Sequence, residues 1–154
     1  MSDDTSQLAL VFRVAGKLCA LPLAQVVETL RPLPVRRFGG TPDFVLGAAT
    51  VRGLPIPVVS AARLLDEVTA VTGRRWICVL AGSRRVALEV DDVLGVRMID
   101  GIGATLRQPL LEGADPERIA TLGRLDGELL CTLEAARLVP GGAWADIGAA
   151  GAVA

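Results

Sequence analysis

Histidine is absent from the 154 residues, and so is tyrosine. Without histidine the chain lacks the usual general base, the usual triad member and the commonest zinc ligand. Aromatic residues make up only 3%, too few for the stacking platforms that hold single-stranded nucleic acid. An excess of positive charge is missing too: 16 Lys and Arg face 17 Asp and Glu, for a net charge of −1. A polyanion binder carries a basic excess or a basic stripe. The arginine pairs at 36–37, 74–75 and 84–85 are scattered, with acidic residues between them. They read as ordinary solvated charge, and no nucleic acid partner is expected.

Cysteine is scarce. Cys19, Cys78 and Cys131 each stand alone in an apolar stretch, with no C-x-x-C spacing. No metal site is expected, and the thiols read as buried and free, in a reducing compartment. No apolar run approaches the roughly 20 residues of a membrane span. The first residues, "MSDDTSQ", are acidic and polar, unlike a signal peptide. The expectation is a cytoplasmic protein with no direct membrane insertion.

What is present is a core former. Hydrophobic residues make up 51% and charged residues 21%, the balance of a folded domain. With few aromatics, that core must be built from Val, Leu, Ile and Ala. "LALVFRV" (8–14), a turn at Gly16-Lys17 and "LCALPL" (18–23) predict a hairpin. "VVETLRPL" (26–33) predicts a third strand, with Val26, Glu28 and Leu30 on one face by the period of two. A loop follows at 34–43, then strands at 44–51 and 54–59 around Arg52-Gly53, and a short helix at 60–67 with Ser60 as N-cap. Strands are predicted again at 75–81, 84–90, 93–99, 119–125 and 128–133. A loop at 101–118 separates the last two from the rest, and a second short helix spans 134–139.

The two halves echo each other. "VAGKLCALPLAQVVE" (14–28) aligns with "LAGSRRVALEVDDVLG" (80–95) with one insertion, and "RGLPIPVVSAARLL" (52–65) lies over "DGELLCTLEAARLV" (126–139) without a gap. The order of elements is the same twice over. The simplest architecture is all-β: two small five-stranded barrels related by a pseudo-twofold axis. Residues 1–7 are expected to be a disordered tail, 8–140 the domain, and 141–154 a flexible tail. The barrel halves are placed at roughly 8–67 and 75–140, and the sequence leaves open whether strands are exchanged between them.

The repeat isolates Arg52. The second half has Asp126-Gly127, an ordinary turn dipeptide, where the first has Arg52-Gly53. Arginine offers such a turn nothing that aspartate does not offer better. Two readings stand: a surface arginine that snorkels over apolar neighbours, or a guanidinium held out for a partner. Pro55 and Pro57 lie just beyond it. Backbone N–H groups at i and i+2 point to the same strand edge, so these prolines strip one edge of two donors. That edge is either protected against aggregation or the lip of a groove.

"FVLGAATVRGLPIPVVSAARLL" resembles the CheW-like chemotaxis coupling domain, through Gly47, Arg52, Gly53 and Pro57. "LCALPLAQVVETL" is similar to a second segment of that family through Val26 and Glu28, and "VALEVDDVLGV" to a third through Val90, Asp91, Val93 and Gly95. The likeness spans roughly residues 8 to 140. Thr50 stands where the family often has asparagine, Ser60 where it often has an acid, and a glycine often found near "RIATL" is missing.

The resemblance implies two SH3-like barrels, no enzymatic activity and no cofactor. It implies an adaptor that couples the cytoplasmic tips of chemoreceptors to the regulatory domain of a CheA-type histidine kinase, a monomer in isolation that scaffolds arrays with these partners. The implied receptor or kinase surface comprises Val26, Glu28, Gly47, Arg52, Gly53 and Pro57. Gly47 is expected to allow close approach of a partner backbone, and Glu28 to orient Arg52. The alternative class is a small β-barrel that binds a ligand or flavin. Its support is thin: the lone G-x-G at 101–103 lacks a third glycine, and Glu28 is the sole candidate acid on an apolar face. A far-ultraviolet circular dichroism spectrum should show β-structure with little helix; a helix-dominated spectrum would refute the double-barrel reading.

Overall fold

The computed structural model describes residues 7–37, 43–64, 75–99, 119–125 and 128–133. Among them lie ten strands and one short helix. The strands are β1 (Gln7–Val14), β2 (Lys17–Pro22), β3 (Val26–Leu30), β4 (Val45–Val51), β5 (Leu54–Ser60), β6 (Arg75–Ala81), β7 (Arg84–Val90), β8 (Asp92–Ile99), β9 (Ile119–Leu125) and β10 (Glu128–Leu133). The helix, α1 (Ala61–Leu64), follows β5 directly. Ser60 caps it as expected, its Oγ accepting the Arg63 N–H at 3.3 Å. The third strand stops at Leu30, short of the expected Leu33, because Pro32 and Pro34 cannot donate to a ladder. The expected loop at 101–118, helix at 134–139, turn at Asp126-Gly127, residues 1–6 and the tail at 141–154 lie outside the described residues; Gln7, expected in the first tail, instead begins β1. No helix among those described is long and apolar enough to cross a membrane.

The strands form two five-stranded sheets, in the orders β8-β1-β2-β10-β9 and β3-β6-β7-β5-β4. The chain therefore does not divide into barrels at 8–67 and 75–140. Each sheet takes the first hairpin of one half and the last three strands of the other. The connections explain the exchange. β2 runs into β3 through one 3-10 turn, Leu23–Gln25, and β7 runs into β8 through Asp91 alone. At both places the chain passes straight from one sheet into the other. Asp91 also fixes the crossing: its N–H donates to Arg13 O at 2.9 Å, and its Oδ2 accepts from the Ala15 N–H at 2.8 Å.

The packing of the two sheets against each other accounts for the hydrophobic pattern. "ALVF" in β1, "LCAL" in β2, "WICV" in β6 and "VAL" in β7 are buried on both faces. One face fills a barrel: Ala9, Val11, Leu18, Ala20, Ile99 and Leu130 in the first sheet, and Ala49, Val51, Ile56, Val58, Trp76, Cys78 and Ala87 in the second. The other face meets the opposite sheet, where Leu10, Phe12 and Leu21 share a core with Ile77, Val79 and Leu88. Trp76, wholly buried, places its indole N–H on Glu89 Oε1 at 3.3 Å, which satisfies its one polar atom. All three cysteines are free and buried, as their apolar surroundings predicted.

The repeat is repeated in the irregularities as well. The β3–β6 register slips at Val27 and the β8–β1 register at Leu94, residues that align in the two copies. Continuing the second alignment backward, the slips at Leu46 in β4 and Ala120 in β9 correspond too. Each is a β-bulge, one extra residue that bends its strand. The slip at Leu46 brings Gly47 to a φ of +145°, where a Cβ would fall on the Arg36 carbonyl oxygen and within 2.8 Å of Val35 Cγ1. Arg36 bonds to Ala48 in both directions, at 2.8 and 2.9 Å. The close approach that Gly47 permits is thus made by this chain's own backbone, not by a partner's. Gly47→Ala should destabilise the protein by about 3 kcal/mol, from backbone strain and overpacking together, as read by chemical denaturation.

Candidate functional site

β3 and β4 are the outermost strands of the second sheet. They come together at one corner, where the β4–β5 turn reaches across to β3. Val51 and Leu54 flank a two-residue turn in which Arg52 has φ +49° and Gly53 has φ +80°. Positive φ at both central positions is the type I′ geometry, favoured because it matches strand twist, and it normally selects Asn-Gly or Asp-Gly. Gly53 meets the requirement without strain. Arg52 does not, since a Cβ makes the left-handed region costly. The turn alone therefore does not account for an arginine at this position.

The side chain makes a two-pronged bond. Arg52 Nε donates to Glu28 Oε2 at 2.7 Å, and an Arg52 terminal nitrogen donates to Glu28 Oε1 at 2.9 Å. This fork-to-fork arrangement is the strong, orienting form of an ion pair. It spans from the last hairpin of the sheet to its first strand. The Arg52 side chain is nevertheless 71% exposed, against 23% for Glu28. The carboxylate forms the seat, and the guanidinium lies above it in water. Two of the five N–H donors of a guanidinium are used in the fork. The Glu28 carboxyl is held below its usual pKa chiefly by the Arg52 hydrogen bonds; desolvation opposes them, and the charges of Arg52 and Arg85 add lesser contributions in the same direction as the hydrogen bonds. Arg52 is correspondingly more basic than usual.

The proline strand borders this pair. Pro55 pairs with Thr50 and Pro57 with Ala48. Val51 and Leu54 close the two-residue turn as a hydrogen-bonded pair, so alternation points the nitrogens of Pro55 and Pro57 away from β4. On that side β7 joins β5 only from Val58 to Ser60. From Leu54 to Pro57 this side of the strand pairs with no other strand among the described residues and carries no donor at either proline. Leu54, next to Arg52, is 52% exposed.

Of the six residues singled out from the sequence, Glu28, Arg52 and Gly53 meet at the corner, and Pro57 lies on the strand that leaves it. Val26 does not share their face. The bulge at Val27 sets Val26 opposite Val79 and Glu28 opposite Cys78, neighbouring residues whose side chains point to opposite faces of the sheet. Val26 packs against the core between the sheets, whereas Leu30, on the side of Glu28, packs inside the second barrel. Strict alternation misplaced Val26 because it takes no account of an inserted residue. Gly47 lies beneath Val35 and Arg36. Val35 and Arg36, which cover Gly47, and the exposed Leu54 were not among the six. An exposed apolar residue right after a turn glycine was the available signal for Leu54.

The two five-stranded sheets make a double SH3-like barrel, with the fork-held Arg52 and the proline edge at one corner of the second. The CheW-like domain pattern matches residues 8–141, and the chain belongs to that family. Protein FrzA of Myxococcus xanthus is 30% identical over 118 residues, covering 75% of this chain and 73% of FrzA. The crystal structure of the scaffolding protein TtCheW from Thermoanaerobacter tengcongensis shares the fold, with a TM-score of 0.73 at 22% identity, over 82% of this chain and 88% of that one.

The Glu28 shift has a definite sign. A carboxyl with a lowered pKa in the folded state adds stability that is present above its unfolded value and is lost as pH falls through the folded value. The melting temperatures of wild type and Arg52→Ala should differ by a small constant amount from pH 5 to 8. The difference should shrink below the ordinary carboxylate range and close as pH falls through the lowered pKa of Glu28.

Proposed function

We propose that the protein is a chemosensory adaptor. It couples the cytoplasmic tips of chemoreceptors to the regulatory domain of a CheA-type histidine kinase, scaffolds their array and catalyses no reaction itself. In this reading it works in the cytoplasm, is a monomer on its own and reaches the membrane only through its receptors. Membership of the CheW-like family supports this, and TtCheW is itself a scaffolding protein. The observation that carries the reading is Arg52. It occupies a left-handed turn position at a conformational cost, is oriented by a two-pronged bond to Glu28, and still leaves its side chain 71% exposed. A backbone outlier held in this way points to use at the surface rather than to folding.

The receptor-facing surface is centred on Glu28, Arg52, Gly53 and Pro57. Val26 and Gly47 act from beneath, Val26 by seating β3 on the core and Gly47 by letting the segment at Val35 and Arg36 cover β4. A helical hairpin tip fits this surface chemically: its apolar residues meet Leu54 and the proline edge, and an acidic or carbonyl group meets the remaining Arg52 donors. The ion pair then serves specificity and association rate more than stability.

The test separates folding from binding. Arg52→Ala and Arg52→Asp should melt within a few degrees of wild type, because Asp-Gly suits the same turn. Titration calorimetry with a receptor-tip fragment should show binding weakened about tenfold for Arg52→Ala and more for Arg52→Asp. Unfolding of both variants would make Arg52 structural, and unchanged binding by both would refute the site.

A further inference from the structure

Two thiols face each other where the exchanged hairpin meets the C-terminal one. Cys19 on β2 and Cys131 on β10 are direct partners in the parallel register of the first sheet. Both are buried, at 0% and 1% exposure, in the core between the sheets. Side chains of paired residues project to the same face. Neighbouring strands run about 4.8 Å apart, inside the window of about 4.4–6.8 Å between Cα atoms in which a disulfide closes. The fold does not demand cysteine at either place, since the corresponding residues of the other sheet are Val86 and Pro57.

We propose that Cys19 and Cys131 are a vicinal thiol pair that a hydroperoxide converts to a disulfide, stapling β2 to β10. The two sulfurs have unequal roles. The Cys19 S–H donates to the Lys17 carbonyl oxygen at 3.8 Å. The side-chain contact between the two thiols holds Cys131 below the ordinary thiol pKa against the effect of burial, and the same contact together with burial pushes Cys19 up. The Cys131 thiolate attacks the peroxide first: an S–O bond forms, the O–O bond breaks, and water leaves after protonation. Cys19 then gives up its proton and attacks the sulfenic sulfur. The S–S bond forms, the S–O bond breaks, and hydroxide departs with that proton as a second water. Two thiols are oxidised by two electrons in total, and one peroxide is reduced by two. Hydrogen peroxide is little larger than water, and β10 lies next to the edge strand β9, so local opening at that edge admits it.

Cys78, in the core of the second barrel, is the internal control. The intact protein is treated with excess hydrogen peroxide, quenched with catalase, unfolded in N-ethylmaleimide and mapped by peptide mass spectrometry. The expected result is a monomer with a Cys19–Cys131 linkage and Cys78 alkylated. The reaction should speed up with rising pH as Cys131 ionises, and the melting temperature should rise on oxidation and fall back on reduction. In Cys19→Ala, Cys131 should be trapped by dimedone as its sulfenic acid; in Cys131→Ala, Cys19 should not. Alkylation of all three cysteines after peroxide, a linkage through Cys78, or overoxidation of Cys131 without linkage to Cys19 would each overturn the proposal. The wild-type map decides by itself if either variant fails to fold.

Discussion

Burial of the two central hairpins on both of their faces is the constraint on which the rest of the molecule depends. β1, β2, β6 and β7 carry too many apolar side chains for one face alone. A single barrel would cover one side of each hairpin and leave Phe12, Leu21, Ile77 and Leu88 in water. With the two sheets packed together through these hairpins, those residues form a shared layer between them. The burial of large aliphatic side chains of this kind contributes about 1.5–3 kcal/mol each. The short crossings at Leu23–Gln25 and Asp91 follow from that layer, since both sheets already lie against it.

The Glu28–Arg52 pair depends on the same frame. β3 reaches the corner only because it pairs with β6 from the other half. The bulge at Val27 then turns Glu28 toward the barrel end while Val26 anchors the strand in the shared core. From the opposite edge, the type I′ turn projects Arg52 over Glu28. Corresponding positions in the other barrel hold Gly95 and Asp126, which cannot form such a pair. The pseudo-symmetry is therefore broken at this corner.

The hairpins and their turns were legible in the sequence because Gly16, Gly53 and Gly82 punctuate apolar runs at strand length. Each of these glycines has a positive φ. The repeat was legible through the order of elements, and it carried the comparison that set Arg52 apart. Which sheet each hairpin joins was not legible, because a run buried on both faces reads the same in either barrel. The faces of β3 were misread for a local reason: Val27 interrupts the period of two, and nothing in "VVE" marks a bulge. Gly47 was rightly singled out as a place of close approach, but which backbone approaches is a tertiary fact set by the path of residues 35 and 36.

The crossed pairing also orders events during synthesis. β1 pairs with β8 and β2 with β10, so the first hairpin to leave the ribosome finds its neighbours only when nearly all of the domain has been made. Until then both of its apolar faces are uncovered, and long-range pairing of this sort is slow and exposed to aggregation. Topologically, the molecule is what results when two copies of a one-barrel protein swap hairpins as a dimer and are then joined end to end in one gene. Neither barrel can be removed and leave the other whole, because each holds the other's hairpin.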